Sequence, residues 1–262
     1  MSQIQSPHNP RLKAVRRLHT KRERARSGMF LAEGEDLIAA AERAGRPALE
    51  GYRLAGSGLG NDDFHDVERA ALASVSALGS GTRVLAVYQQ RWGPAVGPLC
   101  VYLHRVGDPG NVGTVLRSAQ AFGASCVALG PGCADPHGPK AVRASMGAIF
   151  SVELARVSEL SELPGELVAL AADAREPLRG PSDDRAGGAG AGAEVGAGAV
   201  TLLVGAEREG LPDTVMAACD RAARIPIASD SLNAAMAATV ALYEMTTRSC
   251  PPGRDRDTVP AS

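Results

Sequence analysis

The chain has 262 residues, 45% hydrophobic and 22% charged, the usage of a globular protein of one or two domains and not of a disordered, collagenous or fibrous one. Its apolar runs fall far short of a spanning helix, and its first residues are polar and basic instead of forming a signal core, so a cytoplasmic protein is expected. The net charge of −1 hides an asymmetry: residues 11–26 hold eight Lys/Arg against Glu23 alone, leaving about −8 elsewhere, which points to a polyanion partner or to a solvated basic helix.

Residues 9–26 read as one basic helix after a Pro-marked start, 29–34 as a strand and turn, and 36–44 as a helix with Leu37, Ile38, Ala40 and Ala41 on one face. Residues 56–60 read as loop and 83–88 as a closing strand. Gly93, Pro94, Gly97 and Pro98 cannot continue a helix or an inner strand, so they separate a domain at 1–92 from one at 98–250. Beyond them, short apolar runs alternate with helical stretches, the pattern of an α/β layer with a mainly parallel sheet. Strands are expected at 99–103, 126–129, 167–172, 201–204 and 223–227, with helices from Val112 to Phe122 and from Leu232 to Arg248. Residues 179–199, rich in Gly and Ala, have almost nothing to bury and read as a flexible insertion within the second domain. Cys100, Cys126, Cys133, Cys219 and Cys250 are odd in number and widely spaced, so neither a disulfide framework nor a metal site is assigned.

Three turns carry polar residues that packing alone does not require. In Asp108-Pro109-Gly110-Asn111, at the end of an apolar strand, Asn111 reads as a helix N-cap, and Arg117 follows on the helix. Gly205-Ala206-Glu207-Arg208-Glu209-Gly210 closes another strand with an acidic residue between glycines. Ile225-Pro226-Ile227 leads to Ser231-Leu232-Asn233 at a further helix start, where Ser231 reads as the cap. No phosphate-binding P-loop, GxGxxG or GxSxG pattern occurs, and the five His residues are isolated, so nucleotide hydrolysis, ordinary dehydrogenase chemistry and a Ser-His-Asp triad are not argued.

Together the three segments resemble the signature motifs of the SpoU (TrmH) family of RNA ribose 2′-O-methyltransferases within the SPOUT superfamily. Asn111, Gly113 and Arg117 are similar to its first motif, 205–210 to its second, and Ile225-Pro226, Ser231-Leu232-Asn233 and Leu242-Tyr243-Glu244 to its third. Residues 139–148, with Lys140 and Arg143, resemble a further family segment, and 6–34 the opening of a small ribosomal-protein-like RNA-binding domain. Ala206, Ile227 and the Gly/Ala insertion depart from the pattern.

The resemblance implies a deep trefoil knot in a mainly parallel carboxyl-terminal α/β domain, a smaller amino-terminal α/β RNA-binding domain, and a homodimer formed through the last helix. It implies S-adenosylmethionine as cofactor, held at Gly205, Ile225 and Leu232, and a catalytic set of Arg117, Asn111, Glu207, Ser231 and Asn233. RNA, with ribosomal RNA favoured over transfer RNA, is expected to meet Lys140, Arg143, Arg16 and Arg17. Two other readings stand beside it: a Rossmann-type methyltransferase using Asp108 and Gly110, and a non-catalytic RNA-binding or ribosome-assembly protein of the same fold.

Overall fold

The computed structural model describes residues 3–77, 81–179, 198–207, 209–228 and 231–247; Cys250 and nearly all of the Gly/Ala-rich insertion lie outside the described residues. The basic stretch forms two helices and not one, α1 (Pro10–Arg17) and α2 (Lys21–Ser27). Thr20 breaks it, since its hydroxyl accepts the backbone N–H of Glu23 at 3.3 Å and starts a new helix. Then follow β1 (Met29–Glu33), α3 (Glu35–Arg43), β2 (Glu50–Leu54), β3 (His65–Val67), α4 (Arg69–Ala73) and β4 (Val84–Gln89). These strands form a four-stranded sheet in the order β1-β4-β2-β3, antiparallel except for β2 with β3. The sequence reading missed β2, β3 and α4: β3 spans three residues, and β2 contains Gly51, where a Cβ would lie 2.4 Å from the Phe64 ring.

The rest of the chain gives β5 (Leu99–Leu103), α5 (Pro109–Ala121), β6 (Cys126–Leu129), α6 (Pro139–Ala144), β7 (Glu153–Arg156), β8 (Glu166–Leu170), β9 (Val200–Val204), α7 (Asp213–Ala217), β10 (Arg221–Ala223) and α8 (Ala234–Thr247). Its six strands are all parallel, in the order β10-β8-β9-β5-β6-β7. The inner strands β5, β6 and β9 are buried almost throughout, as parallel strands covered on both faces must be. The strand expected at 223–227 lies earlier. Arg224 leaves the sheet to pair with the 176–178 segment, donating its N–H to Glu176 at 2.8 Å and accepting that of Leu178 at 2.7 Å. Helix α5 packs closely on α6 because Gly113 has no side chain; a Cβ there would meet the Ala141 carbonyl at 2.4 Å. No helix among the described residues is long and apolar enough to cross a membrane.

One buried cluster runs from Phe30, Ile38 and Tyr88 beside the first sheet to Phe150, Val142 and Val115 beside the second, so the two parts share a core. A polar pin crosses the same seam. Arg24 pairs with Asp135 at 2.8 Å and donates to the Leu18 carbonyl at 2.7 Å. His137, 2% exposed, lies against the Phe30 ring, 4.8 Å between centroids, and the Trp92 ring at 5.1 Å.

Breaking a buried pair strands the remaining charge, so Arg24→Met is expected to cost about 3 kcal/mol in urea unfolding. Adding Asp135→Leu should restore most of it, and a negligible loss in the single variant would show that the pair does not anchor the seam. Burial pushes the His137 imidazole down to about 4. The unfolded imidazole takes up its proton near 6.5, so folded His137 stays neutral while the unfolded chain is already stabilised by protonation. The stability from this term is complete above pH ~6.5 and falls as the pH drops towards ~4. Melting curves of His137→Leu across that window should be flatter than those of the wild type; equal slopes would overturn the assignment.

Candidate active site

Loops from the carboxyl ends of β8, β9 and β5 meet the start of α8 at one edge of the parallel sheet, the edge where open α/β folds place ligands. Helix α5 is capped by Asp108 and not by Asn111: the Asp108 carboxylate accepts the Asn111 backbone N–H at 3.0 Å, with Pro109 in the first turn. Lys140 grips the other Asp108 oxygen at 2.7 Å. These two contacts, the Lys140 ammonium first, hold the Asp108 carboxyl below its usual range. With the cap supplied by Asp108, the Asn111 side chain is released for tertiary contacts.

After β9 the chain doubles back, and the Gly210 N–H donates to the Ala206 carbonyl at 2.9 Å. A Cβ on Gly205 would lie 2.2 Å from the Gly210 carbonyl, so only glycine fits the crossing. The third loop ends at Ala234, and the cap is Asn233 and not Ser231. Its side-chain oxygen accepts the N–H groups of Ala235 at 3.0 Å and Met236 at 3.3 Å. Asn233 in turn donates to the Asn111 side-chain oxygen at 3.1 Å, and Asn111 donates to the Glu207 carboxylate. Three of the residues singled out in the sequence therefore form one relay.

Behind the relay lies a cavity of about 400 Å³, within the range of small-molecule sites. Gly205, Ile225 and Leu232 line it, as do Glu207 and Ser231, with Leu170, Val204 and Met216 as further apolar wall. Asp173 and Asp213 give its wall a negative character, while Glu209, also in the lining, pairs with Arg105 at 3.7 Å. Sequence reasoning missed Asp108 as the cap, although Asp before Pro is a helix-start signal, and it missed Asp173, whose one clue was its place just past a strand end.

Of the expected catalytic residues, Glu207 and Ser231 line this cavity; Asn111 and Asn233 do not, and neither does Arg117. It is exposed on α5, without a hydrogen bond or ion pair among the described residues, next to Ser118, whose hydroxyl meets that of Thr239 on α8 at 2.6 Å. On α8, Met236, Val240 and Tyr243 are 58%, 40% and 54% exposed, an apolar stripe on a surface helix. Lys140 stands at the α5 start, and Arg143 is exposed on α6. The guanidinium of Arg16 is engaged by Ser74, at 3.1 Å to its carbonyl and 3.0 Å to its hydroxyl, while Arg17 is exposed. The basic run is thus divided. Arg11, Arg24 and Arg26 pair with Glu50, Asp135 and Glu23, whereas Lys13, Arg17, Lys21 and Arg22 have no ion pair among the described residues.

The model of the SpoU rRNA Methylase family matches residues 98–243, and that of the MRM3-like substrate binding domain matches residues 9–86. The 23S rRNA (guanosine(2553)-2′-O)-methyltransferase RlmP of Bacillus subtilis is 27% identical over 256 residues, covering 94% of this chain and 99% of the relative. A 23S rRNA (uridine(2479)-2′-O)-methyltransferase of Streptomyces viridochromogenes is 36% identical over 148 residues, 56% of this chain and 51% of the relative. The AdoMet-bound rRNA methyltransferase from Sinorhizobium meliloti superposes with a TM-score of 0.76 at 28% identity, covering 93% of this chain and 96% of that one.

Asn111→Ala removes the middle of the relay at a cost of roughly 1 kcal/mol per exposed hydrogen bond. Hydrogen exchange should quicken in residues 205–211 and 231–233 while the sheet keeps its protection. Unchanged exchange in both loops would mean that the relay does not restrain them.

Proposed function

Because the chain belongs to the SpoU rRNA methylase family, whose model spans residues 98–243, we propose that it transfers a methyl group from S-adenosylmethionine to a ribose 2′-hydroxyl of 23S ribosomal RNA. The observation that carries this reading is the cavity lined by Gly205, Ile225 and Leu232, to which the Asn111–Asn233 pair is joined through Glu207 of its wall. The residues suit the cofactor: the apolar wall and the tight crossing at Gly205 leave a slot of ligand size, and the lining carboxylates complement a cationic sulfonium and amino group. When bound, the cofactor supplies an electrophilic methyl carbon. The chain's part is to place the 2′-oxygen in line behind that carbon and to ease the loss of its proton.

Asn111 gives one N–H to Glu207 and accepts one bond from Asn233, which leaves an N–H and a lone pair for a ribose hydroxyl. Ser231, on the cavity wall, and Asn233 complete the ribose side, while Glu207 keeps the second loop closed. A guanidinium does not give up its proton near neutrality, so Arg117 is assigned to the RNA phosphate and the developing oxyanion and not to base catalysis. Arg117 is not bonded to the cavity wall as Asn111 is, and it stands exposed on α5 next to Ser118, which bonds α8, so it is assigned to the cavity of a second copy, in a homodimer that covers Met236, Val240 and Tyr243. Lys140, Arg143 and Arg17 extend the RNA contact, and residues 1–92 serve as the RNA-binding domain beside a catalytic domain at 98–250. The knot belongs to the same proposal: supporting it, β9 lies inside β8, β10 lies outside it, and the chain returns past loop 205–211 to seat α8 on α5. Ribosomal RNA as substrate and a cytoplasmic location are favoured by the relatives' activities and the substrate-binding domain model.

Tritiated S-adenosylmethionine should label ribosomal RNA, and no transfer to any RNA would leave only a binding protein. Arg117→Ala and Arg117→Lys are each expected to lose about a hundredfold in turnover, as losing one preorganised charge-stabilising group does. Mixing Arg117→Ala with Gly205→Ala chains should recover about a quarter of wild-type activity, since half the dimers then hold one intact site of two. Failure to complement would rule out sharing across the dimer.

A further inference from the structure

A second cavity, of about 420 Å³, opens at the seam between the two parts of the chain and has no role in the reaction above. Lys21 of α2 and Trp92 form one side; the loops after β6 and β7, with Asp135 and Arg156, form the other. These loops share the carboxyl edge that carries the candidate active site, which uses the loops after β8 and β9. In the sheet only β5 stands between β9 and β6, so the two cavities open along one edge within reach of a single RNA strand.

Trp92 is the one tryptophan of the chain. The Arg156 guanidinium lies over its ring, 4.0 Å from the centroid, and the His137 ring meets it at 70°, 5.1 Å away. Arg156 is exposed and has neither hydrogen bond nor ion pair among the described residues, and the same is true of Lys21. The carboxylate in the wall, Asp135, is already neutralised by Arg24 at 2.8 Å. The cavity is thus lined by two exposed cations with no ion pair among the described residues and by an aromatic ring that one of them covers. A surface cation–π pair accounts for Arg156 on Trp92, but not for the open cavity that both line together with an unpaired lysine.

We propose that this seam cavity binds an unpaired nucleotide of the RNA substrate, its base extending the Arg156–Trp92 stack and its flanking phosphate meeting Lys21. Bases stack on aromatic rings and on arginine planes alike, which suits an unpaired strand. The inference rests on the RNA reading above and adds a contact point for a nucleotide other than the methylated one. Because α2 and the β6 and β7 loops come from different parts of the chain, a base held there also ties the amino-terminal part to the sheet edge.

Trp92 reports on its own site. The full chain would be titrated with a single-stranded oligoribonucleotide end-labelled for anisotropy, following tryptophan emission in the same cuvette. Emission should change in step with anisotropy. Arg156→Ala should weaken binding about tenfold, and Lys21→Gln should lower the slope of log affinity against log salt by about 0.7. Trp92→Phe, which keeps a ring under Arg156, should bind as the wild type does, whereas Trp92→Leu should not, with circular dichroism confirming that both fold. RNA binding with silent Trp92 emission overturns the site, as does an equal emission change with heparin, a polyanion without bases. Methyl transfer by the wild type is measured alongside. Transfer with silent emission defeats the seam site and spares the enzyme reading, while an emission change without transfer supports the site and defeats that reading.

Discussion

Two amides and a carboxylate hold the candidate active site in register. Glu207 is an acceptor only, so the Asn111 amide must turn its N–H towards it, which points the Asn111 oxygen at Asn233. Asn233 turns its own oxygen to the first N–H groups of α8. One charge thus sets the polarity of the whole relay, and three loops separated by 96 and 122 residues share one geometry. The two bonds between loops are exposed and each contributes about 1 kcal/mol or less to folding. The value of the relay lies in fixing donors and acceptors next to the cavity wall at Glu207 before a ligand arrives.

That relay depends on a division of labour at the start of α5. Had Asn111 capped its own helix, its side-chain oxygen would have been consumed there. Asp108 takes that duty, and Lys140 from α6 holds it. Gly113 and Gly205 serve the same end by close approach: the first lets α6 reach the α5 terminus, and the second lets loop 205–211 fold back on itself. The arrangement builds a site from turns on a sheet edge.

The amino-terminal part is joined to this edge and not merely tethered. The shared core around Phe30, Tyr88 and Phe150, the Arg24–Asp135 pair and buried His137 make the seam continuous with the interior. Half of the basic run is engaged by the protein itself, Arg24 across the seam and the others within the amino-terminal part. Arg11, Arg16, Arg24 and Arg26 are held by protein partners, leaving Lys13, Arg17, Lys21 and Arg22 to face a polyanion. A residue count over residues 11–26 overstates the charge offered to RNA for this reason.

Strands β5 and β6 were legible residue for residue, because parallel strands covered on both faces are unbroken apolar runs. The three polar turns were legible because Gly, Pro, Asn and Asp have local conformational reasons to be there. Short β3, β7 and β10 were not, since three or four residues carry no periodicity, and the helix break at Thr20 was hidden by uniform charge. Sequence alone therefore determined which chemistry-bearing residues exist, on which local elements, and the family they resemble. Asp108 and Asn233 cap their helices through bonds to residues three and two positions on, so those caps lay within reach of a local reading, Asp before Pro being such a signal. Only the tertiary structure decided that Asn233 donates to Asn111, that Arg117 stands outside the cavity, and that Arg156 covers Trp92. Those depend on segments far apart along the chain, and their geometry comes from sheet order and close packing, which no local pattern encodes.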